Sequence, residues 1–322
     1  MLNPKAKNIK GFEHILGKNV NYLFFLCMII FFSFLSNRFL KIKNIENILI
    51  QGSIYAIASV GEAFVILAKG IDISVGSVLY LSGVTGALFY LYGFPPWVVV
   101  IVIVGTGMIA GIINGLIRTK MQISPLITTL ATYGIFRGIA LNIQYQTRHG
   151  GWRDLIVPES FRFLGSGRIL YIPVPILMTL VVYLIAYFIL KQTSFGRKVY
   201  FVGNTPENAR TAGINLNKIL ILVYFICGIC VGIAALAWSA QFMKITAGMG
   251  QEMEIWVIAA AVLGGVTLSG GEGNLFGAWF GTLVVVTIIN GLNILGASPY
   301  IYGIINGLII FIAIVSDTFR HR

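Results

Sequence analysis

The residues of this chain able to do chemistry are few, and most lie inside or at the edges of apolar blocks. Glu62 and Arg137 fall within such blocks. Asp72 and Ser74 sit between two of them, and Asn114, Asn290, Asn293 and Asn306 stand near block ends. A charged group in hydrocarbon is costly, so each must face a partner or a water-filled cavity. Amide side chains both donate and accept, which suits contact with a hydroxyl-bearing solute. Two readings stand: the set lines a path through the bundle, or its members pair internally, as Glu62 with Arg137 would to offset two desolvation costs. For Asp72 the nearest satisfying groups in sequence are Lys69, Ser74 and Ser77.

Bond-breaking chemistry finds no such set. His14, His149 and His321 are scattered, no Ser/His/Asp or Cys/His arrangement stands out, and the sequence nominates no catalytic residue, metal site or cofactor. Cys227 and Cys230 have zinc-like spacing, but no further Cys or His lies near them. Two small apolar residues at i and i+3 of a helix explain them better. Residues 264–273 (Gly-Gly-Val-Thr-Leu-Ser-Gly-Gly-Glu-Gly) lack the Gly-Lys-Ser/Thr ending of a phosphate-binding loop. With no such loop elsewhere, any energy source must be another chain.

The elements that would position these residues follow from composition. The chain is 57% hydrophobic and 11% charged, with a mean hydropathy of +0.87, far from a soluble globular domain. Its apolar blocks are each about the ~20 residues that cross ~30 Å of hydrocarbon as a helix. Helices satisfy every backbone group within one segment, and the blocks lack the alternation of a membrane β-barrel. The expectation is an all-α, polytopic transmembrane helical bundle of about ten spans: 20–37, 52–69, 75–92, 96–117, 124–143, 170–190, 218–241, 254–268, 274–294 and 299–316.

Basic residues are more numerous on the side that would hold the N-terminus, 189–217 and the C-terminus, which supports N-in and C-in. Arg38, Lys41 and Lys43 form a contrary outer cluster. The formal charge of +12 is thereby explained by loops in contact with the bilayer surface, without nucleic acid. The first block reads as an uncleaved span, since it follows Lys5, Lys7, Lys10 and Lys18 and shows no small-residue cleavage site. Residues 44–51 are amphipathic and too short to span, which predicts an interfacial helix. Residues 143–169 read as an outer loop.

The longest polar stretch between apolar blocks is 189–217. Its composition predicts a short helix over 206–211, with Pro206 and Glu207 in the first turn and Gly213 ending it. The match over Thr193, Phe195, Gly196, Arg197, Tyr200, Gly203, Pro206, Glu207, Ala209, Arg210, Gly213 and Ile214 makes this stretch resemble the cytoplasmic loop that permease subunits of ABC importers present to their ATPase. Residues 70–77 (Gly-Ile-Asp-Ile-Ser-Val-Gly-Ser) look like the signature of the monosaccharide branch of those permeases. Similar in the same way are 124–132 with Phe136, Arg137 and Gly138, the glycine-rich run 264–273, and 290–299 with 307–310. The resemblance covers about residues 50–317. It departs from the pattern at Asn204, Thr205 and Asn208, and at Trp256, where relatives often place an acid.

What the resemblance implies is a single transmembrane permease domain over 1–322, in a bacterial inner membrane, importing a monosaccharide or sugar-like molecule. Its partners would be a separate ABC ATPase with two nucleotide-binding halves, an extracytoplasmic sugar-binding protein, and a second permease copy or paralogue. Phe195, Gly196, Arg197, Glu207, Ala209, Arg210 and Gly213 would couple to the ATPase. Glu62, Asp72, Ser74, Asn114, Arg137, Asn290, Asn293 and Asn306 would form the substrate path or gate. The alternatives are a permease of the same fold for branched-chain amino acids or nucleosides, and a stand-alone secondary transporter. The latter should show several mid-span carboxylates, and only Glu62 qualifies.

Overall fold

The computed structural model describes residues 25–147, 154–298, 301–305, 307–308 and 311. Over these the chain forms helices α1 (Phe25–Leu35), α2 (Ile42–Leu67), α3 (Val75–Leu91), α4 (Pro96–Lys120), α5 (Pro125–Thr147), α6 (Arg162–Ser166), α7 (Val174–Gln192), α8 (Ser194–Asn204), α9 (Pro206–Thr211), α10 (Leu216–Phe242), α11 (Met253–Leu263) and α12 (Leu275–Ile294). Among the described residues, α2, α4, α5, α7, α10 and α12 are long and apolar enough to cross a membrane. The apolar helices α1, α3 and α11 are shorter. An all-α membrane bundle is therefore the architecture.

Local chemistry sets the ends. Proline stands in the first turn of α4, α7 and α9, where its missing N–H costs nothing. Side-chain caps start three others: Thr193 accepts from Gly196 N at 3.2 Å, Asn215 from Lys218 N at 3.0 Å, and Asn274 from Gly277 N at 2.6 Å. Several expectations are corrected. Residues 44–51 are no separate interfacial helix but the first turns of α2, since nothing between Ile42 and Leu67 breaks the ladder. The block 254–268 is helical only to Leu263, because Gly265 (φ +88°) begins a glycine-rich turn. The polar stretch holds α8 as well as the expected α9.

The centre of the bundle is α2, packed by α10, α12, α7 and α11. From Ser53 to Ala68 every residue is buried except Tyr55, which is half-buried. The tightest helix pair is α4 with α10. Gly107, Gly111 and Gly115 recur every fourth residue on α4 and meet Gly228, Gly232 and the backbone of Ile221 and Tyr224 on α10. Such small-residue seams let helices approach where no hydrophobic effect drives them together. The free, buried Cys227 and Cys230 lie against Gly61 of α2, so the spacing that suggested zinc is a packing feature. Between α5 and α7, β2 (Arg168–Ile169) pairs antiparallel with β3 (Ile172–Pro173), and β1 (Leu155–Ile156) reaches across to pair antiparallel with β4 (Lys244–Ile245), which follows α10.

A Gly111→Val side chain would enter the backbone of α10, an overpacking cost of about 3 kcal/mol, whereas Gly105 faces open space. Thermal unfolding in detergent should show a clear drop for Gly111→Val and none for Gly105→Ala, where a helix-interior alanine replaces glycine without a clash.

Candidate functional site

The centre of the candidate site is a stretch of non-helical backbone, 68–74, between α2 and α3. The α2 helix ends in a Schellman turn: Gly70 N donates to Val65 O (2.9 Å) and Lys69 N to Ile66 O (2.8 Å), with Lys69 left-handed at φ +59°. Backbone that leaves a helix inside an apolar bundle must find new partners. It finds them in side chains. Arg118 Nη2 donates to Lys69 O at 2.9 Å, and Tyr224 OH to Ile71 O at 3.1 Å. The Asp72 N–H donates to Glu62 Oε1 at 3.0 Å.

Asp72 then organises the start of α3. Its Oδ1 accepts from Ser74 N (2.8 Å) and from Ser74 Oγ (2.6 Å), closing an Asx-type turn. Asn114 of α4 donates through Nδ2 to Ser74 Oγ at 2.8 Å and, at longer range, to Asp72 Oδ2 at 3.3 Å. Glu62, Asp72, Ser74 and Asn114 are all buried. Lys69 and Ser77 are not the partners expected for Asp72: the Lys69 side chain is exposed, and Ser77 Oγ donates to Ser74 O instead.

Arg137 belongs to a second group. It donates to Met249 O (2.6 Å) and Ala247 O (2.5 Å), and its guanidinium stacks 4.5 Å from the Tyr80 ring. Pairing of Glu62 with Arg137 is thereby overturned: one accepts a backbone N–H at the α2–α3 break, and the other clamps residues 247–249. The stretch 243–252 around them carries left-handed Met243, Gly250 and Glu252. It meets α3 so closely at Gly76 that a methyl there would strike Gly250 O and Glu254 Oε2. Trp256 is buried between α11 and α12, so the departure at this position repacks the core.

The remaining amides lie elsewhere. Asn290 exchanges two 3.0 Å hydrogen bonds with Asn44, and Asn293 accepts from Tyr302 OH at 2.5 Å. Asn306 lies outside the described residues. The structure therefore joins Glu62, Asp72, Ser74 and Asn114, and separates them from Arg137, Asn290 and Asn293.

The polar platform α8–α9 divides into packing and exposed groups. Gly196 and Ala209 are buried and Phe195 is half-buried against the core, whereas Arg197, Glu207 and Arg210 are exposed. Gly213, left-handed at φ +76°, ends α9. The platform is bound to the break. Gly203 packs on Leu67 O and Gly271, Gly271 N donates to Leu67 O at 2.9 Å, and Tyr200 OH donates to Gly273 O at 2.9 Å. Sequence reasoning passed over Arg118 and Tyr224. Arg118 looked like an ordinary basic helix end, and a lone tyrosine in an apolar block gives no signal of its partner.

These features define a membrane permease: a helical bundle with an internal break and a polar platform fastened to it. The chain belongs to the family described as branched-chain amino acid transport system / permease component, which matches residues 44–314. It is 34% identical to the ribose import permease protein of Bacillus subtilis over 98% of this chain and 97% of the relative. Identity is 36% to the ribose import permease protein of Escherichia coli, covering 91% of each. The D-allose transport system permease protein of Escherichia coli is 34% identical over 98% and 97%. No solved structure matches the chain.

Removing the Asp72 carboxylate strands the Ser74 N–H and weakens the hold on Asn114, at about 1–3 kcal/mol per buried unpaired group. Asp72→Ala should lower the unfolding midpoint markedly and Asp72→Asn less. Equal midpoints for wild type and Asp72→Ala would remove the carboxylate from any structural role.

Proposed function

We propose that this chain is the transmembrane permease subunit of a bacterial ABC importer that carries a monosaccharide or sugar-like molecule across the inner membrane. The observation that carries this is the fastening of an exposed, charged platform to the end of the central helix. Arg197, Glu207 and Arg210 face outward on α8–α9, while Gly203 and Gly271 tie the same platform to Leu67 of α2. A separate ATPase docking on the exposed groups would push on the α2–α3 break. Full-length similarity to permeases named for ribose and allose supports the cargo class.

In this reading ten crossings place both termini and α8–α9 in the cytoplasm, and an extracytoplasmic binding protein delivers the solute to the opposite face. The path runs beside α5. Ala131, Gly134, Gly138, Asn142 and Gln146 form an exposed stripe along that helix, and methyls at Gly134 or Gly138 would meet nothing. Amides facing lipid are costly, so this stripe suits water and a second permease copy. ATP-driven closure would exchange outward- and inward-open arrangements of the two copies. Branched-chain amino acids form a second reading, supported by the family description alone.

Arg210→Glu should abolish uptake with membrane levels unchanged; normal uptake would sink the coupling role. Uptake of a labelled sugar panel beside labelled leucine separates the two cargo readings. In a Cys27→Ser background, Gly138→Cys should react with a membrane-impermeant maleimide and Ile109→Cys on α4 should not. Equal protection of both would place α5 against lipid.

A further inference from the structure

We propose that the groove between α2, α7 and α12 is a binding site for a phospholipid with an anionic headgroup. The groove is a cavity of about 380 Å³, within the range of small-molecule sites. Its walls come from three membrane-crossing helices and include Ala56, Leu180, Leu184, Trp279 and Leu283. Of the five hydroxyls among its lining residues, all but that of Tyr187 already have partners. Ser53 donates to Leu49 O, Thr179 to Pro175 O, and Thr282 to Ala278 O. Tyr183 hydrogen-bonds Ser59, which also meets Thr282. A sugar, with its several hydroxyls, would find one open hydroxyl there, that of Tyr187, whereas a hydrocarbon chain needs none.

The ligand's other end is indicated by a second cavity of about 200 Å³. It shares Tyr187, Leu275 and Phe276 with the groove and adds Lys191, Tyr200 and Asn274. Lys191 stands in the last turn of α7, where the span meets the polar platform, and is exposed. Its ammonium lies 5.3 Å from the Tyr200 ring, and it makes no ion pair among the described residues. An apolar slot continuous with a cationic pocket at a helix end matches an acyl chain joined to a phosphate. The charge selects an anionic lipid over a zwitterionic one, and the platform residue Tyr200 brings that lipid against α8.

The test uses purified full-length protein in nanodiscs containing brominated phosphatidylglycerol or brominated phosphatidylcholine, with quenching of tryptophan fluorescence as the readout. The Trp279→Phe variant isolates the contribution of the groove. Quenching of Trp279 should favour phosphatidylglycerol by about fivefold in relative affinity, the equivalent of about 1 kcal/mol per basic residue near anionic lipid. Lys191→Gln should abolish the preference while leaving quenching by both lipids. Leu184→Trp, a change at an exposed wall position, should fill the slot and be read by native mass spectrometry as loss of retained phosphatidylglycerol. Equal quenching by the two lipids, or a preference that survives Lys191→Gln, overturns the proposal. So does a Trp279 that neither lipid quenches, which would mean that a helix of another chain fills the groove.

Discussion

The structure depends on the need to satisfy backbone that leaves its helix inside an apolar bundle. At residues 68–74 the ladder of α2 has ended and that of α3 has barely begun. No water-like medium can be assumed there to take over the freed groups. Glu62 takes the Asp72 N–H, Arg118 the Lys69 carbonyl and Tyr224 the Ile71 carbonyl. These side chains come from three helices, so the break also fixes how α2, α4 and α10 are placed. The glycine seam between α4 and α10 brings Arg118 and Tyr224 within 5.6 Å of each other as a cation–π pair.

The same region joins the bundle to its polar platform. Because the Schellman turn uses the carbonyls of Val65 and Ile66, the Leu67 carbonyl remains to accept Gly271 N–H. Gly203 of α8 closes on that point, and any larger residue would collide with backbone. A displacement of α8 is thus felt first at the last turn of α2 and next at the Asp72 turn. The connection runs through backbone contacts, which yield less than long side chains do.

The membrane class was legible because it rests on summed hydropathy, and α9 because its proline, acid and glycine act locally. The Asp72 motif was legible as a costly charge, and Ser74 as its partner, because an Asx turn is made within three residues. The remaining pairings were not. Glu62 meets Asp72 rather than Arg137 because the break brings the Asp72 N–H back to the last turns of α2, and Arg137 reaches carbonyls that carry no sequence identity. Residues 44–51 look amphipathic in isolation. In the fold they extend α2, with Asn44 held by Asn290 from α12.

The use of Glu62 Oε1 and Asp72 Oδ1 as internal acceptors still leaves Glu62 Oε2 and Glu254 Oε2 buried with no hydrogen-bond partner among the described residues. Each open acceptor lies beside the α2–α3 break, Glu254 Oε2 against Gly76 at the start of α3. A scaffold of this kind holds its helices through backbone contacts and internal polar pairs, so its exposed surfaces can vary without disturbing them. Variation at the surface and permanence in how the helices are held become separate evolutionary problems.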